Sequence, residues 1–289
     1  MEYAEIGIIG GSGFYEMEGL EEVHSVKLAT PFGAPSSPIV LGKLHGRSVA
    51  FLARHGLGHV LNPSEVNYRA NLFALKMLDV TRIVSITAVG SLKEEIKPTD
   101  LVIPDQYVDA TWKREKTFFE NGLVAHVSMA DPTCPDLTRR AAELAGRLGV
   151  ITHPGGIYYN MEGPQFSSRG ESLSYRQLGY SVIGMTQAVE AKLARELEMC
   201  FLPLAFITDY DCWHQEPVNV EMVVGFLKKN IGKAKEILFE LCRELPPARE
   251  SCSCCQSLAR AIISAPQLIP EKTYKKLELI IGKYIPNRI

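Results

Sequence analysis

The chain has 289 residues, 46% hydrophobic and 22% charged, which suits one large globular domain or two modest ones with a full core and excludes a disordered chain. A formal net charge of -2 argues against a surface built for nucleic acid and leaves room for a local basic pocket, so any anion bound is expected to be small. The opening MEYAEIGIIGG has no basic leader, and no stretch reaches the roughly 18 apolar residues of a membrane span, so a cytoplasmic protein without membrane contact is expected.

In chain order, apolar runs short enough for buried strands fall at residues 6–9, 48–53, 82–88, 101–104, 156–161, 182–185 and 201–208. Between several of them VNYRANLFALKMLDV, DLTRRAAELAGRLG and AVEAKLARELE carry apolar residues at spacings of three and four, the pattern of amphipathic helices. Strands alternating with helices imply an α/β protein, a central mixed sheet flanked by helices on both faces. HGRSVAFLARHG, with Gly46 beside a strand-like run, predicts a hairpin and an antiparallel contribution. The last third changes character: residues 220–245 read as one long helix, and after PPARESCSCC further helical segments are predicted around 257–263 and 272–284. ELPPARE is too short to mark a boundary, so residues 1–289 are taken as one domain whose residues 246–289 form a helical, cysteine-containing appendage.

Seven cysteines are an odd number in a chain too long to need disulfide scaffolding, and reduced thiols are the first expectation. CSCC, residues 252–255, is the exception, yet no second CxxC completes a tetrahedral zinc site, so no metal is expected. A disulfide through this cluster, with Cys134, Cys200 or Cys242 as partner, is the stronger alternative for a chain from a hot environment, where intracellular disulfides occur.

Several fragments carry possible chemistry. GIIGGSGFY runs a strand into Gly10, Gly11, Ser12 and Gly13, where exposed N–H groups and a hydroxyl suit an anion. Glu16 stands where a dinucleotide fingerprint needs its third glycine, which argues against that fold. ARHGLGH offers Arg54, His55 and His59 after a strand end: a planar fork for phosphate, and an imidazole that adds a donor if its tautomer permits. ITAVGSL ends a strand in small residues beside the Thr87 hydroxyl, leaving room where open α/β sheets bind ligands. NMEGPQFSSRGES supplies Glu162, whose carboxylate suits two ribose hydroxyls, Phe166 as a stacking face, and the hydroxyls of Ser167 and Ser168. GMT, residues 184–186, is another strand end. In TDYDCW, Asp209 and Asp211 follow core; a carboxyl at a partly desolvated strand end holds its proton to higher pH, and period-two alternation puts both on one face. Singly, each fragment is satisfied by an ordinary turn or cap. Together they outline a cleft for an oxyanion, a sugar and a flat base.

The motifs IGIIGGSGFY, ARHGLGH, NPSEVNYRAN, TAVGSL, MEGPQFSSRGES, VIGMT and TDYDCW, in this order over about residues 4–240, resemble the 5'-methylthioadenosine phosphorylase family of the trimeric purine nucleoside phosphorylase superfamily. The resemblance implies a purine nucleoside phosphorylase-like sheet, no metal or organic cofactor, inorganic phosphate as co-substrate, and a homo-oligomer, either a trimer or a dimer of trimers. It assigns phosphate binding to Ser12, Arg54, His55, Thr87, Ala88 and Thr186, and ribose binding to Met185 with Glu162. The base falls to Phe166, Ser167, Asp209 and Asp211; His59 joins the substrate group, and His126 resembles a histidine lent by a neighbouring subunit. Val189 stands where the family commonly has proline, which is expected to loosen that loop, and the tail from Pro246 resembles only members with a cysteine-rich end.

The activity implied is phosphorolysis of 5'-methylthioadenosine, with Asp209 donating a proton near N7 and Asp211 accepting from the 6-amino group. An apolar pocket for the methylthio group, with helix residues 220–227 contributing, would leave some adenosine cleavage. A phosphorylase for 6-oxopurine nucleosides or methylthioinosine is the near alternative; a non-catalytic nucleotide-binding protein, suggested only by GGSG, is the distant one.

Overall fold

A computed structural model describes residues 2–11, 18–214, 220–247, 249 and 252–286, and for residues 220–224, 227 and 228 the backbone alone. Among the described residues there are eleven strands, β1 (Ile6–Gly10), β2 (Glu21–Val26), β3 (Ile39–Leu44), β4 (Arg47–Ala53), β5 (Arg82–Ser91), β6 (Leu101–Ile103), β7 (Gln106–Asp109), β8 (Thr152–Pro154), β9 (Ile157–Asn160), β10 (Val182–Gly184) and β11 (Cys200–Asp209). The helices are α1 (Tyr68–Met77), α2 (Pro135–Arg147), α3 (Arg169–Gln177), α4 (Gln187–Glu196), α5 (Val220–Glu244) and α6 (Glu271–Ile281).

All strands join one mixed sheet, ordered β2-β3-β4-β1-β5-β10-β9-β7, with β11, β6 and β8 branching from β5. The hairpin forms as expected: β3 and β4 pair antiparallel around His45 and Gly46, whose φ values of 52° and 74° are those of a tight two-residue turn. Side chains then sort by alternation. Ile9, Ile83 and Phe201 face one layer with α1 and α4, whereas Ile6, Ile8, Val84, Leu202 and Leu204 face the other with α2 and α5. Each such fully buried aliphatic side chain stabilises the fold by about 1.5–3 kcal/mol.

β5 is the pivot. It pairs in parallel with β1 over residues 82–85 and with β11 along most of its length, then with antiparallel β10 only at Gly90 and Ser91. On the β1/β10 side, residues 86–89 are therefore unpaired, and the sheet opens there.

Three expectations are corrected. No helix forms at 257–263: a 3-10 turn at Cys254–Gln256 leads into turns, and the backbone groups spent on Val124 and His126 (Ile263 N–H to Val124 O, 3.1 Å; His126 N–H to Ala261 O, 2.8 Å) are those a helix would need. The loop at Val189 is not loosened, because this residue is fully buried in the first turn of α4. The cysteine cluster also has a second half. Cys134 at the α2 N-cap and Cys200 at the start of β11 meet Cys252 and Cys254, with all four sulfurs within 4.8 Å of one another. Cys242, weighed as a partner, is outside this group.

Candidate active site

The opening beside β5 is a cavity of about 300 Å³, the lower end of the range for small-molecule sites. Its wall comes from strand ends: Gly11 after β1, Arg54, His55 and His59 after β4, Ile86 to Gly90 in β5, Ile183 to Thr186 at the end of β10, and Phe206, Thr208 and Asp209 in β11. Pro63, Met161, Phe166, Asp211 and α5 add to it. Ser12 lies outside the described residues. So do the side chains of most of residues 220–227; the described α5 residues that line the cavity are Asn230, Ile231 and Ala234, further along the helix.

Arg54 is buried and its fork is already engaged. Nε donates to Glu190 Oε1 at 2.6 Å, Nη2 to Glu190 Oε2 at 3.1 Å and to Ser85 Oγ at 2.9 Å, and Nη1 to Ile86 O at 2.9 Å. Ser85 Oγ in turn donates to Glu190 Oε2 at 2.6 Å. Burial opposes the Arg54 charge, but the Glu190 carboxylate more than offsets this and holds its pKa up. The planar fork expected to meet phosphate is thus a fixed cation whose geometry Glu190 sets.

His55 is corrected in role. Its Nδ1 lies 2.9 Å from Leu61 O, and a carbonyl only accepts, so the ring proton sits on Nδ1 and Nε2 carries a lone pair. Burial, then Arg54, push its pKa down to about 4. At neutral pH His55 therefore accepts a hydrogen bond at Nε2, as from a protonated phosphate oxygen. His59 stacks on it with ring centroids 4.3 Å apart.

Thr186 caps α4 without a side-chain capping bond, and its buried hydroxyl has no partner among the described residues. A helix N-terminus with an unsatisfied hydroxyl favours an anion. The Thr87 hydroxyl stands close by in the lining, donating to Ala88 O at 3.2 Å.

At the other end sits the acid pair. Asp209 is 7% exposed and Asp211 4%. Thr208 Oγ1 donates to Asp209 Oδ2, and the Asp211 N–H donates to Asp209 Oδ1, both at 2.8 Å. Burial raises the pKa of Asp209, and the neighbouring Asp211 charge adds to this against those two bonds. Burial likewise raises Asp211, while the Ser172 hydroxyl, the Cys212 N–H and the Ser167 hydroxyl pull the other way. Among the described residues Asp211 Oδ2 has no hydrogen-bond partner.

Strand alternation is not what brings the two acids together. β11 is bulged before Asp209, and Asp211 opens a 3-10 turn with φ 49°, a conformation aspartate tolerates. Asp209 is both a turn cap and a cavity carboxyl. Gly90 makes the room, since a Cβ there would lie 2.9 Å from Asp209 Oδ1 and 3.3 Å from Asp211 Cβ.

Glu162 is also corrected. Its carboxylate accepts from Trp112 N–H at 2.7 Å, Lys113 N–H at 3.3 Å, Arg114 Nε at 3.3 Å and the Ser64 hydroxyl, and it is absent from the lining. Arg114 in turn holds Met185 O, so Glu162 braces the Met185 turn and does not face a sugar. Ser168 caps α3, bonded reciprocally with Glu171. Ser167 stands behind the lining, its hydroxyl 3.7 Å from Met161 Sδ. His126 is exposed and away from this chain's own cavity. Sequence reasoning missed Glu190, Ser85, Arg114 and Asn230; the available signal for Glu190 was an acid among small apolar residues in AVEAKLA.

The Phosphorylase superfamily model matches residues 5–243. An S-methyl-5'-thioadenosine phosphorylase of Koribacter versatilis is 51% identical over 283 residues, covering 97% of each chain. A solved methylthioadenosine phosphorylase from an antarctic soil metagenomic library superposes with a TM-score of 0.91 at 45% identity, covering 97% of this chain and 99% of that one. The methylthioadenosine phosphorylase of Schistosoma mansoni in complex with adenine superposes with a TM-score of 0.80 at 36% identity, covering 83% and 91%.

Proposed function

Because this chain belongs to the phosphorylase superfamily and, within it, to the S-methyl-5'-thioadenosine phosphorylase family, we propose that it catalyses the reversible phosphorolysis of 5'-methylthioadenosine. Phosphate attacks the anomeric carbon, the glycosidic bond breaks, and adenine and 5-methylthioribose 1-phosphate are released, a step of purine and methionine salvage. The observation that carries this reading is one cavity whose lining holds, among the described residues, three unpartnered buried oxygens, those of Thr186, Asp211 and Asn230, the first two of opposite demand. Thr186 Oγ1 offers a donor at a helix N-terminus, and Asp211 Oδ2 calls for one.

The residues then divide the work. Arg54, fixed by Glu190, Thr186 and Thr87 hold the phosphate, with Ser12 as a further hydroxyl, the backbone at Ala88 as an additional contact and His55 accepting a phosphate proton. Met185 lies under the ribose and Phe166 against the base. As the bond stretches the sugar becomes cation-like, which the phosphate charge stabilises, and the leaving adenine becomes anion-like. Asp209, whose pKa burial raises, donates near N7. Ile231 and Ala234 add apolar wall from α5. No resident cofactor is required by these roles. His126, exposed and outside its own cavity, suits a histidine lent to a neighbour, so the working form is a homo-oligomer, a trimer or a dimer of trimers.

The decisive assay follows adenine release from 5'-methylthioadenosine with and without phosphate. Release that depends on phosphate is expected; release at equal rate without it means hydrolysis and removes the proposal. Base choice gives a second expectation. A carboxylate at Asp211 accepts from a 6-amino group and opposes a 6-oxo group. Asp211→Asn offers a donor instead and should shift the ratio of 5'-methylthioadenosine to inosine cleavage by about 10- to 100-fold toward inosine. An unchanged ratio in the kcat/KM values would take Asp211 out of base recognition.

A further inference from the structure

We propose that Cys134, Cys200, Cys252 and Cys254 bind one zinc ion in a closed tetrahedral site that fastens the C-terminal appendage to the core. Their sulfurs lie within 4.8 Å of one another, and Cys200 Sγ is 3.4 Å from Cys252 Sγ. A zinc ion about 2.3 Å from four thiolates requires sulfur–sulfur edges of about 3.8 Å, within that span. Disulfides need only pairs, whereas here each sulfur neighbours the other three.

The scaffold suits a structural metal. Cys134 precedes the 13-residue helix α2 and is tied to the strand bearing Cys200 by its N–H to Phe201 O bond of 2.9 Å. Two ligands therefore stand on rigid elements, and the other two, separated by one residue, arrive from the appendage. Cys134, Cys200 and Cys254 are buried, with exposures of 1%, 1% and 3%. Four thiolates around a divalent ion carry net negative charge, and Arg195 Nη1 lies 3.9 Å from Cys254 Sγ to offset it. The positive end of α2 lies beside Cys134 and acts the same way. An all-sulfur donor set selects a soft ion such as zinc over magnesium or calcium.

The fastening reaches further. Just beyond Cys254, Ser257 Oγ donates to Arg195 O at 2.6 Å and Leu258 N–H to Glu198 Oε1 at 3.1 Å. The same segment holds the His126 N–H through Ala261 O at 2.8 Å. An ion at the cysteines would thus brace the loop segment that carries His126.

The test is metal analysis of the full chain purified in reductant from zinc-supplemented growth. About one equivalent of zinc per chain is expected. Cys252→Ser with Cys254→Ser should lose it, whereas Cys255→Ser, outside the cluster, should keep it, and chelation should lower the melting temperature of the wild type but not of the double variant. If the double variant does not fold, cobalt(II) bound to the wild-type chain decides, since a tetrathiolate site gives strong visible absorption. A chain that takes up neither zinc nor cobalt overturns the proposal. So does an unreduced chain lighter than its reduced form by the hydrogens of two disulfides.

Discussion

Asp209→Asn is expected to lower turnover of 5'-methylthioadenosine by about 100- to 10,000-fold, the usual contribution of a positioned general acid. The substitution preserves shape, and the asparagine oxygen still accepts from the Asp211 N–H while the amide turns toward Thr208, whose hydroxyl can reverse. The fold should therefore persist. What disappears is a proton that can be transferred: an amide donates a hydrogen bond to N7 but keeps its hydrogen. KM should change less than kcat, because the interaction grows with charge on the departing base. The pH profile supplies an independent check. The folded pKa of Asp209 is raised, chiefly by burial, so the active acid form survives above the ordinary carboxyl range and wild-type kcat should fall as pH rises through that raised value. The same sign governs stability: the native state binds this proton more tightly, so its contribution is complete below the unfolded pKa and is lost as pH rises through the folded one. Both dependences should be absent in Asp209→Asn. A variant with near-normal kcat, or with the basic limb intact, would remove Asp209 as proton donor.

The strands were legible because burial on both faces writes them as continuous apolar runs: residues 201–208 anticipated β11, and residues 82–88 anticipated most of β5. β2 escaped because its residues are exposed or half-buried, leaving no core face to alternate. Helix α3 escaped although Ser168 and Glu171 announce it as a capping box: beside a Gly-Pro turn and Phe166, the Ser167 and Ser168 hydroxyls suit a ligand equally well. The site was legible as a set of strand ends, since each motif stops where a strand meets the cavity. Which atoms were already spent was not. Glu162 looked available for a sugar, and only folding shows Trp112, Lys113 and Arg114 converging on it from about 50 residues away. The cysteines show the same limit: CSCC lacked a local second half, and the topology supplies one from a helix cap and a strand start.

Glu190→Ala should destabilise the protein by about 3–5 kcal/mol, the cost of leaving a buried charge without its partner. Arg54 and Glu190 have side chains only 4% and 1% exposed, with their closest approach at 2.6 Å, so little solvent is available to replace the lost carboxylate. Equilibrium urea unfolding measures this directly. The informative comparison is the double variant Arg54→Met with Glu190→Leu, which removes both charges and fills most of their volume. Its stability should return most of the way toward wild type, short of it because Ile86 O loses the Nη1 donor it now has at 2.9 Å. Its phosphate KM should nevertheless rise by about 10- to 100-fold, since a charged donor beside the oxyanion is gone. Stability regained without phosphate binding would separate the two uses of the pair: Glu190 neutralises and aims, and Arg54 contacts the ligand. If the double variant instead binds phosphate normally, the buried arginine serves only the core, and the anion must be held by the remaining contacts, Thr186 at the α4 N-terminus, Thr87, Ser12, the Ala88 backbone and His55.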